Sequence, residues 1–311
     1  DIDKCDSEVL DIEIFPDRPD LLSAETLFHS MMPFMHNSPA NPRLLVNAGT
    51  VSMKVSQNLA DIRPVILGAI VRGVNVDDAV IKRLMEHQEK LHFALGRGRK
   101  RASIGVHDLS KISPPFRVEA VSRDHSFIPL AMDEEMTIQE ILENHPKGVD
   151  YAHLLDGMEK VPIILDSDNA VLSFPPIING DHTTVTTETR DIFIDVTGLD
   201  VRACESALML VCLQLSVLGG RIESVRVTTC EGKEWTLNGE PVEHKVERSM
   251  VEGILGNTFT DEEIGNAIHR MGGIFNGDYS GILSISMPRW RFDILHPIDL
   301  VEEVAIGHGY D

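Results

Sequence analysis

Apolar and polar positions change period several times along this chain, and each change predicts an element. Val9 to Phe15 alternates with period two, as a strand does, and the Pro16-Asp17-Arg18-Pro19-Asp20 turn leads from it to a helix from Ser23 to about Met32. Ile62 to Arg72 is almost continuously apolar and predicts a buried strand, followed by a helix from about Asp77 to Leu95. Thr137 to Asn144 reads as a short helix ended by Pro146, and Val161 to Asp166 and Ala170 to Ser173 as short strands. Asp191 to Thr197 alternates again; Asp200 then caps a long apolar helix that stops at Gly219-Gly220, and Ile222 to Thr229 returns as a strand. After the turn residues Asn238-Gly239-Glu240-Pro241, a capping box at Thr260 to Glu263, stapled by Phe259 and Ile264, starts a helix to about Met271. A strand at Ile282 to Met287 and a helix starting at Pro297 complete the pattern.

These elements predict a multidomain α+β protein. Residues 1–58 form a truncated leading domain, 59–241 a mixed-sheet central domain, and 246–311 a small winged-helix-like domain. A length of 311 residues is enough for two or three cores. No apolar run approaches the roughly 18 residues of a membrane span, and the N-terminus lacks the blocks of a signal peptide, so no membrane partner and a cytoplasmic location are expected. Cys5, Cys204, Cys212 and Cys230 form no CxxC pair, which suggests neither a zinc site nor a disulfide framework. The chain begins at Asp1 and stops just after a helix, as a piece of a longer protein would.

A formal charge of -21, from 28 Lys and Arg against 49 Asp and Glu, argues against broad electrostatic adhesion to nucleic acid. One segment departs from that average. Gly96-Arg97-Gly98-Arg99-Lys100-Arg101 places four cations in five positions, which suits either a local phosphate site or a solvated basic loop. Near the end of the chain, Asp299, Glu302 and Glu303 fall at i, i+3 and i+4 on one helix face, and Asp293 reaches the same point from the preceding extended segment. An all-oxygen set of this kind suits Mg2+ or Ca2+, although acidic residues also favour the first turn of any helix. In the middle of the chain, Pro175-Pro176 predicts extended backbone and Asn179-Gly180 a turn. Period two then puts Phe193, Asp195 and Thr197 on one face of a strand and Ile192, Ile194 and Val196 on the other. An aromatic beside an acid and a hydroxyl fits a pocket, or else a half-exposed strand with its polar side in water.

Motifs spread over nearly the whole chain resemble the beta subunits of phenylalanyl-tRNA synthetases of the archaeal and eukaryotic type. They include Arg18-Pro19-Asp20-Leu21-Leu22-Ser23, Arg63-Pro64, Gln88 with Lys90-Leu91-His92, Gly96 to Lys100, Ile104-Gly105-Val106-His107-Asp108-Leu109, His145-Pro146-Lys147-Gly148, Leu172 to Gly180, Ile192 to Gly198 and Arg291 to Tyr310. The resemblance implies that the central domain is an editing domain that hydrolyses mischarged Tyr-tRNA(Phe). Its amino-acid pocket would be formed by Ser173, Asp195 and Thr197 with Ile164 in the apolar wall, and Gln88, Arg99 and Asn179 would contact the tRNA acceptor end. It also implies Mg2+ shared with an alpha subunit at Asp293, Asp299, Glu302 and Glu303. The implied assembly is an alpha2-beta2 complex that charges tRNA(Phe) with phenylalanine at the expense of ATP, the ATP and phenylalanine sites lying in the alpha subunit.

A pocket shaped for phenylalanine rejects an added hydroxyl weakly, whereas a second pocket that hydrogen-bonds the hydroxyl selects it well. Asp195 is the expected reader of that hydroxyl. No Ser-His-Asp or Cys-His arrangement stands out, so a bound water is the expected attacker. Two other readings of the chain are a scaffold subunit that only assembles the complex and positions tRNA, and a winged-helix nucleic-acid binder. The acidity of the terminal unit opposes the second.

Overall fold

The structure is a computed structural model that describes residues 2–5 and 10–309. The chain divides into two compact units, one formed by residues 46–238 and the other by residues 1–45 with 239–311. The first contains two sheets. The strand order in the five-stranded sheet is Val46–Asn47, Arg221–Ser224, Val65–Arg72, Ile192–Gly198, Ala102–Asp108. In the seven-stranded sheet it is Ile178–Asn179, Val171–Phe174, Val161–Leu165, Phe116–Val121, Ser52–Val55, Arg226–Thr228, Glu234–Trp235. The two sheets bury a shared core in which Ile66, Ile70 and Phe193 of one meet Met53, Phe116 and Val118 of the other. The rings of Phe116 and Phe193 lie 4.4 Å apart, centroid to centroid.

The remaining faces are covered by helices. Val201–Val217, capped by the Asp200 side chain on the Ala203 N–H at 3.1 Å, is buried along almost its whole length and packs on the five-stranded sheet. It ends where Gly219 adopts a φ of 92°, a left-handed conformation that costs glycine nothing. On the outer side of the seven-stranded sheet, Val161, Ile163 and Leu165 pack with Ile138 and Ile141 of the Ile138–Asn144 helix, while Ile164 between them points into the inter-sheet core. Both faces of that strand are therefore apolar.

Three expectations change. Residues 46–58, assigned by pattern to the leading domain, instead supply strands to both sheets of the central unit: Val46–Asn47 pairs in parallel with Arg221–Ser224, and Ser52–Val55 with both Phe116–Val121 and Arg226–Thr228. These strands are two and four residues long, and their partners lie far away in sequence, so local periodicity carries no signal for them. The single strand expected over Ile222 to Thr229 is two strands, one in each sheet, with buried Val225 at the crossing. The segment Phe174 to Ile177 is a turn, with the Ile177 N–H donating to Phe174 O at 2.8 Å, where extended backbone was expected.

The other unit has a three-stranded antiparallel sheet, ordered Val242–Glu247, Ile282–Met287, Ile274–Asp278, with the helices Arg248–Leu255, Asp261–Arg270 and Pro297–His308. Val246, Ile264, Ile268, Ile285, Leu300 and Val304 share its core. The expected capping box at Thr260 and Glu263 is present, and Pro297 opens the last helix. The leading residues contribute the helix Ala24–His36, whose Phe34 ring lies 4.4 Å beneath the Arg270 guanidinium.

A buried ion network ties this unit together. Arg291 donates to both oxygens of Glu303, at 2.8 and 2.6 Å, and to Asp293 at 2.5 to 3.1 Å. Burial works against the charge on Arg291, but Glu303 and Asp293 outweigh it and hold the guanidinium's proton well above the ordinary arginine value. Arg18 makes a fork–fork pair with buried Asp20 at 2.9 and 2.8 Å.

Two outcomes follow from this packing. Arg291→Met strands two carboxylates and is expected to cost about 3–5 kcal/mol in urea unfolding; a loss below about 1 kcal/mol would contradict the network. Of the four cysteines, Cys204, Cys212 and Cys230 are buried, and burial pushes the Cys204 thiol up to about 12 and that of Cys212 higher still. A thiol reagent should therefore titrate Cys5 alone in the folded chain and all four after denaturation.

Candidate functional site

The strand Ile192–Gly198 lies between Val65–Arg72 and Ala102–Asp108, and the register sets Asp195 opposite a glycine on each side, Gly68 and Gly105. Asp195 is 1% exposed and Thr197 fully buried, which removes the half-exposed reading of this strand. The face they share with Phe193 looks toward the second sheet. Asp195 Oδ2 lies 2.7 Å from His107 Nε2, and His107 Nδ1 lies 2.9 Å from Thr183 Oγ1. A Cβ on Gly105 would sit 2.0 Å from Asp195 Oδ2, so only glycine leaves room for the carboxylate.

Asp195 lines a cavity of about 330 Å³ walled by Ile81, Met85, Ile104, Val106, Leu130 and Ile177. Gln88, Arg99, Ser173 and Asn179 also line it, so five of the seven expected pocket and tRNA residues are brought together. The other two are not. Ile164 stands beside Ser173 in the ladder but packs into the inter-sheet core. Thr197 is engaged by Arg63, whose Nε donates to Thr197 Oγ1 at 2.7 Å while a terminal nitrogen donates to Ser103 Oγ and to the carbonyls of Arg99 and Thr197. Burial lowers the Arg63 pKa to about 10, which leaves it charged at neutral pH. Ser103, in contact with Thr197 at 3.0 Å, lines the cavity in its place.

Several lining residues also have a structural task. Ala102–Asp108 is an edge strand, and its outward backbone groups need partners. Gln88 Nε2 donates to Ile104 O at 2.7 Å, the Ile104 N–H donates to His92 Nε2 at 2.8 Å, and Asn179 Nδ2 donates to Val106 O at 3.3 Å. The Asp78–Ala94 helix and the short strand Ile178–Asn179, where a turn at Asn179-Gly180 was expected, are thus fastened to the strand's free edge. His92 accepts through Nε2, and burial disfavours its charged form, so its single ring proton sits on Nδ1.

The basic loop divides by exposure. Arg97 and Lys100 point to solvent, but Arg99 is 6% exposed and lies 4.2 Å over the Tyr151 ring. Arg99 donates to Pro176 O and Ile177 O at 3.2 and 2.9 Å, and to Glu89 Oε1 at 2.7 Å. His92, then Arg99 and Lys147, hold the Glu89 carboxyl at about 2, well below its ordinary value. Sequence reasoning assigned no role to Glu89, His92, Gly105, His107 or Thr183. Period two does put Gly105 and His107 on one strand face, but which partner strand they meet is not a local property.

Among the described residues no cysteine lines the cavity, and the one lining hydroxyl in contact with a histidine is that of Thr183, on His107. An apolar slot with a buried carboxylate in its wall suits an aromatic side chain with a polar tip.

The four terminal carboxylates are not gathered into a cation site. Asp293 and Glu303 are taken by Arg291, Asp299 Oδ2 accepts the Leu295 and His296 N–H groups at 2.7 and 2.6 Å, and Glu302 is exposed. Among the described residues no cluster of three or more His, Cys, Asp or Glu is placed to hold a metal. The donor set therefore does not fit Mg2+ within this chain as it stands. Spacing along the helix put the acids on one side, but the buried guanidinium already supplies the counter-charge.

Residues 64–209 match the family model of the B3/4 domain, and residues 244–310 that of the tRNA synthetase B5 domain. Over its whole length the chain is 46% identical to the phenylalanine–tRNA ligase beta subunits of Methanococcoides burtonii and Methanosarcina acetivorans, covering 58% and 57% of those proteins. It thus spans somewhat over half the length of these curated relatives. It is also similar to the crystal structure of an N-terminal fragment of the phenylalanyl-tRNA synthetase beta subunit from Pyrococcus horikoshii, with a TM-score of 0.90 and 36% identity over 97% of this chain and 86% of that one. Identity at this level, extending through both units and accompanied by the same fold, means that the chain belongs to the phenylalanine–tRNA ligase beta-subunit family.

Proposed function

We propose that the cavity bounded by Asp195 is an editing site that hydrolyses Tyr-tRNA(Phe), within a ligase whose alpha subunit uses ATP to charge tRNA(Phe) with phenylalanine. One observation carries the reading: a buried carboxylate with a fixed orientation closes an apolar slot. A tyrosine ring fills the slot and its hydroxyl satisfies Asp195. Phenylalanine would leave that carboxylate facing carbon, at the full cost of an unpaired buried polar group. Ser173 adds a second polar wall, and a water molecule is the attacking group. The roles change for two residues: Thr197 and Ile164 support the site from behind, while Ser103 takes the position on the wall.

On this reading Arg99 positions the site, holding Glu89 and the Pro176-Ile177 carbonyls, and the exposed Arg97 and Lys100 meet tRNA phosphates. A Mg2+ ion shared with the alpha subunit rests on the family resemblance alone, and Arg291 would have to release Asp293 and Glu303 before they could ligate it.

Asp195→Ala in the assembled ligase is expected to slow deacylation of Tyr-tRNA(Phe) by about 100-fold or more, with charging by phenylalanine retained. Unchanged deacylation would reject the pocket and leave a scaffold subunit. Replacing both Arg97 and Lys100 by Ala should weaken tRNA binding and reduce the salt slope by about 1.4 to 1.8. Arg99→Ala should instead impair deacylation with little change in that slope. A slope that falls for Arg99→Ala and not for the double variant would reverse the assignment.

A further inference from the structure

Hydrogen counting behind Asp195 fixes what its free oxygen is able to do. The Thr183 hydroxyl carries one hydrogen, and its Oγ1 lies 2.9 Å from Gly180 O, which accepts only. Toward His107 Nδ1, 2.9 Å away, Thr183 therefore offers a lone pair, and that contact is a hydrogen bond only when Nδ1 bears a proton. The other ring nitrogen faces Asp195 Oδ2 at 2.7 Å, with one proton between them. Whether the imidazole or the carboxyl holds that proton, Oδ2 is spent. Oδ1 is left with lone pairs alone.

The arrangement has little freedom. His107 stacks on Phe193 with centroids 5.8 Å apart and planes at 27°, and Phe193 is wedged against Phe116. A Cβ on Gly105 would also meet His107 Nε2 at 2.7 Å, so the Asp–His contact fits only against a glycine.

We propose that His107, which does not line the cavity, is a positioning residue that makes Asp195 an obligate hydrogen-bond acceptor, so that the site takes aromatic side chains whose para group donates a hydrogen. This deepens the editing reading above and rests on it. The site selects by donor character: a para-hydroxyl or para-amino group supplies a hydrogen to Oδ1, whereas para-fluorine, similar in size to hydroxyl, brings a second electron-rich atom and is repelled.

The test is single-turnover deacylation by the assembled ligase of tRNA(Phe) charged with tyrosine, 4-aminophenylalanine, 4-fluorophenylalanine or phenylalanine. The wild type is expected to hydrolyse the first two and spare the others. His107→Leu should lower the Tyr-over-Phe ratio about 10- to 100-fold, the worth of one charge-assisted hydrogen bond, and Thr183→Val should lower it less. His107→Gln, which keeps an N–H donor, should restore part of the loss. Nitrogen-15 NMR of the His107 ring should show a proton on Nδ1.

A His107→Leu ratio within about twofold of wild type, where Asp195→Ala abolishes selection, overturns the positioning role. So does a folded His107→Gln no better than His107→Leu, or 4-fluorophenylalanine cleared as fast as tyrosine. If the leucine variant does not fold, the glutamine variant and the wild-type NMR spectrum still decide the matter; a ring whose Nε2 is not hydrogen-bonded refutes the positioning role. Absence of Tyr-tRNA(Phe) hydrolysis by the wild type sinks the editing reading and this inference together, which separates that failure from the others.

Discussion

Asp195 sits in the middle of an interior strand, on the face turned toward a second sheet, and a carboxylate in that position has to be satisfied or neutralised. Much of the central unit's geometry answers that requirement. Glycines on both neighbouring strands make room, His107 supplies a hydrogen bond, and the Phe193–Phe116 contact holds His107 in place. Beside Thr197, two residues along the same strand face, Arg63 poses the opposite problem and solves it differently, with two backbone carbonyls and two hydroxyls around a buried cation that also feels the Asp195 charge. Arg63 and Thr197 hold one another away from the cavity, whereas Ser103 and Asp195 line it.

The cavity also arises from the way an edge strand is closed. Ala102–Asp108 ends the five-stranded sheet, and its unpaired backbone groups are met by side chains of a helix and of a short strand of the other sheet that stand off from it by the length of a Gln, His or Asn. A gap lined by apolar side chains remains between them. Residues that looked from the sequence like ligand contacts, Gln88 and Asn179, are thereby also the fastenings of the cavity wall. Arg99 is another fastening, since it joins the loop after the helix to the Pro176-Ile177 turn.

The terminal unit shows how a correct spacing argument reaches a different chemical end. Asp299, Glu302 and Glu303 do lie on one helix, and Pro297 opens it as expected. Their destinations differ because each meets different surroundings: Asp299 closes the helix N-terminus, Glu302 stays in water, and Glu303 turns inward to Arg291. The buried Arg291 guanidinium holds two carboxylates and offsets the charge of one of them.

The elements with a strong local signal came through with small shifts at their ends: the Asp200-capped helix, the Thr260 capping box, the Ile282–Met287 strand and the alternation at Asp195. Caps, periodicity and turn residues act over three or four positions, and those are distances a single sequence displays. The strands at residues 46–47 and 52–55, the split of Ile222 to Thr229 between two sheets and the burial of Arg99 have no such signature, because each depends on a partner tens of residues or more away. The pocket shows the same division within one strand. Alternation put Asp195 and Thr197 on a common face, but the three-dimensional approach of His107 to one and Arg63 to the other decided which of them lines the cavity. Side-chain direction along a strand is set locally by the backbone's period of two, whereas the atoms a side chain encounters are set by how distant segments pack.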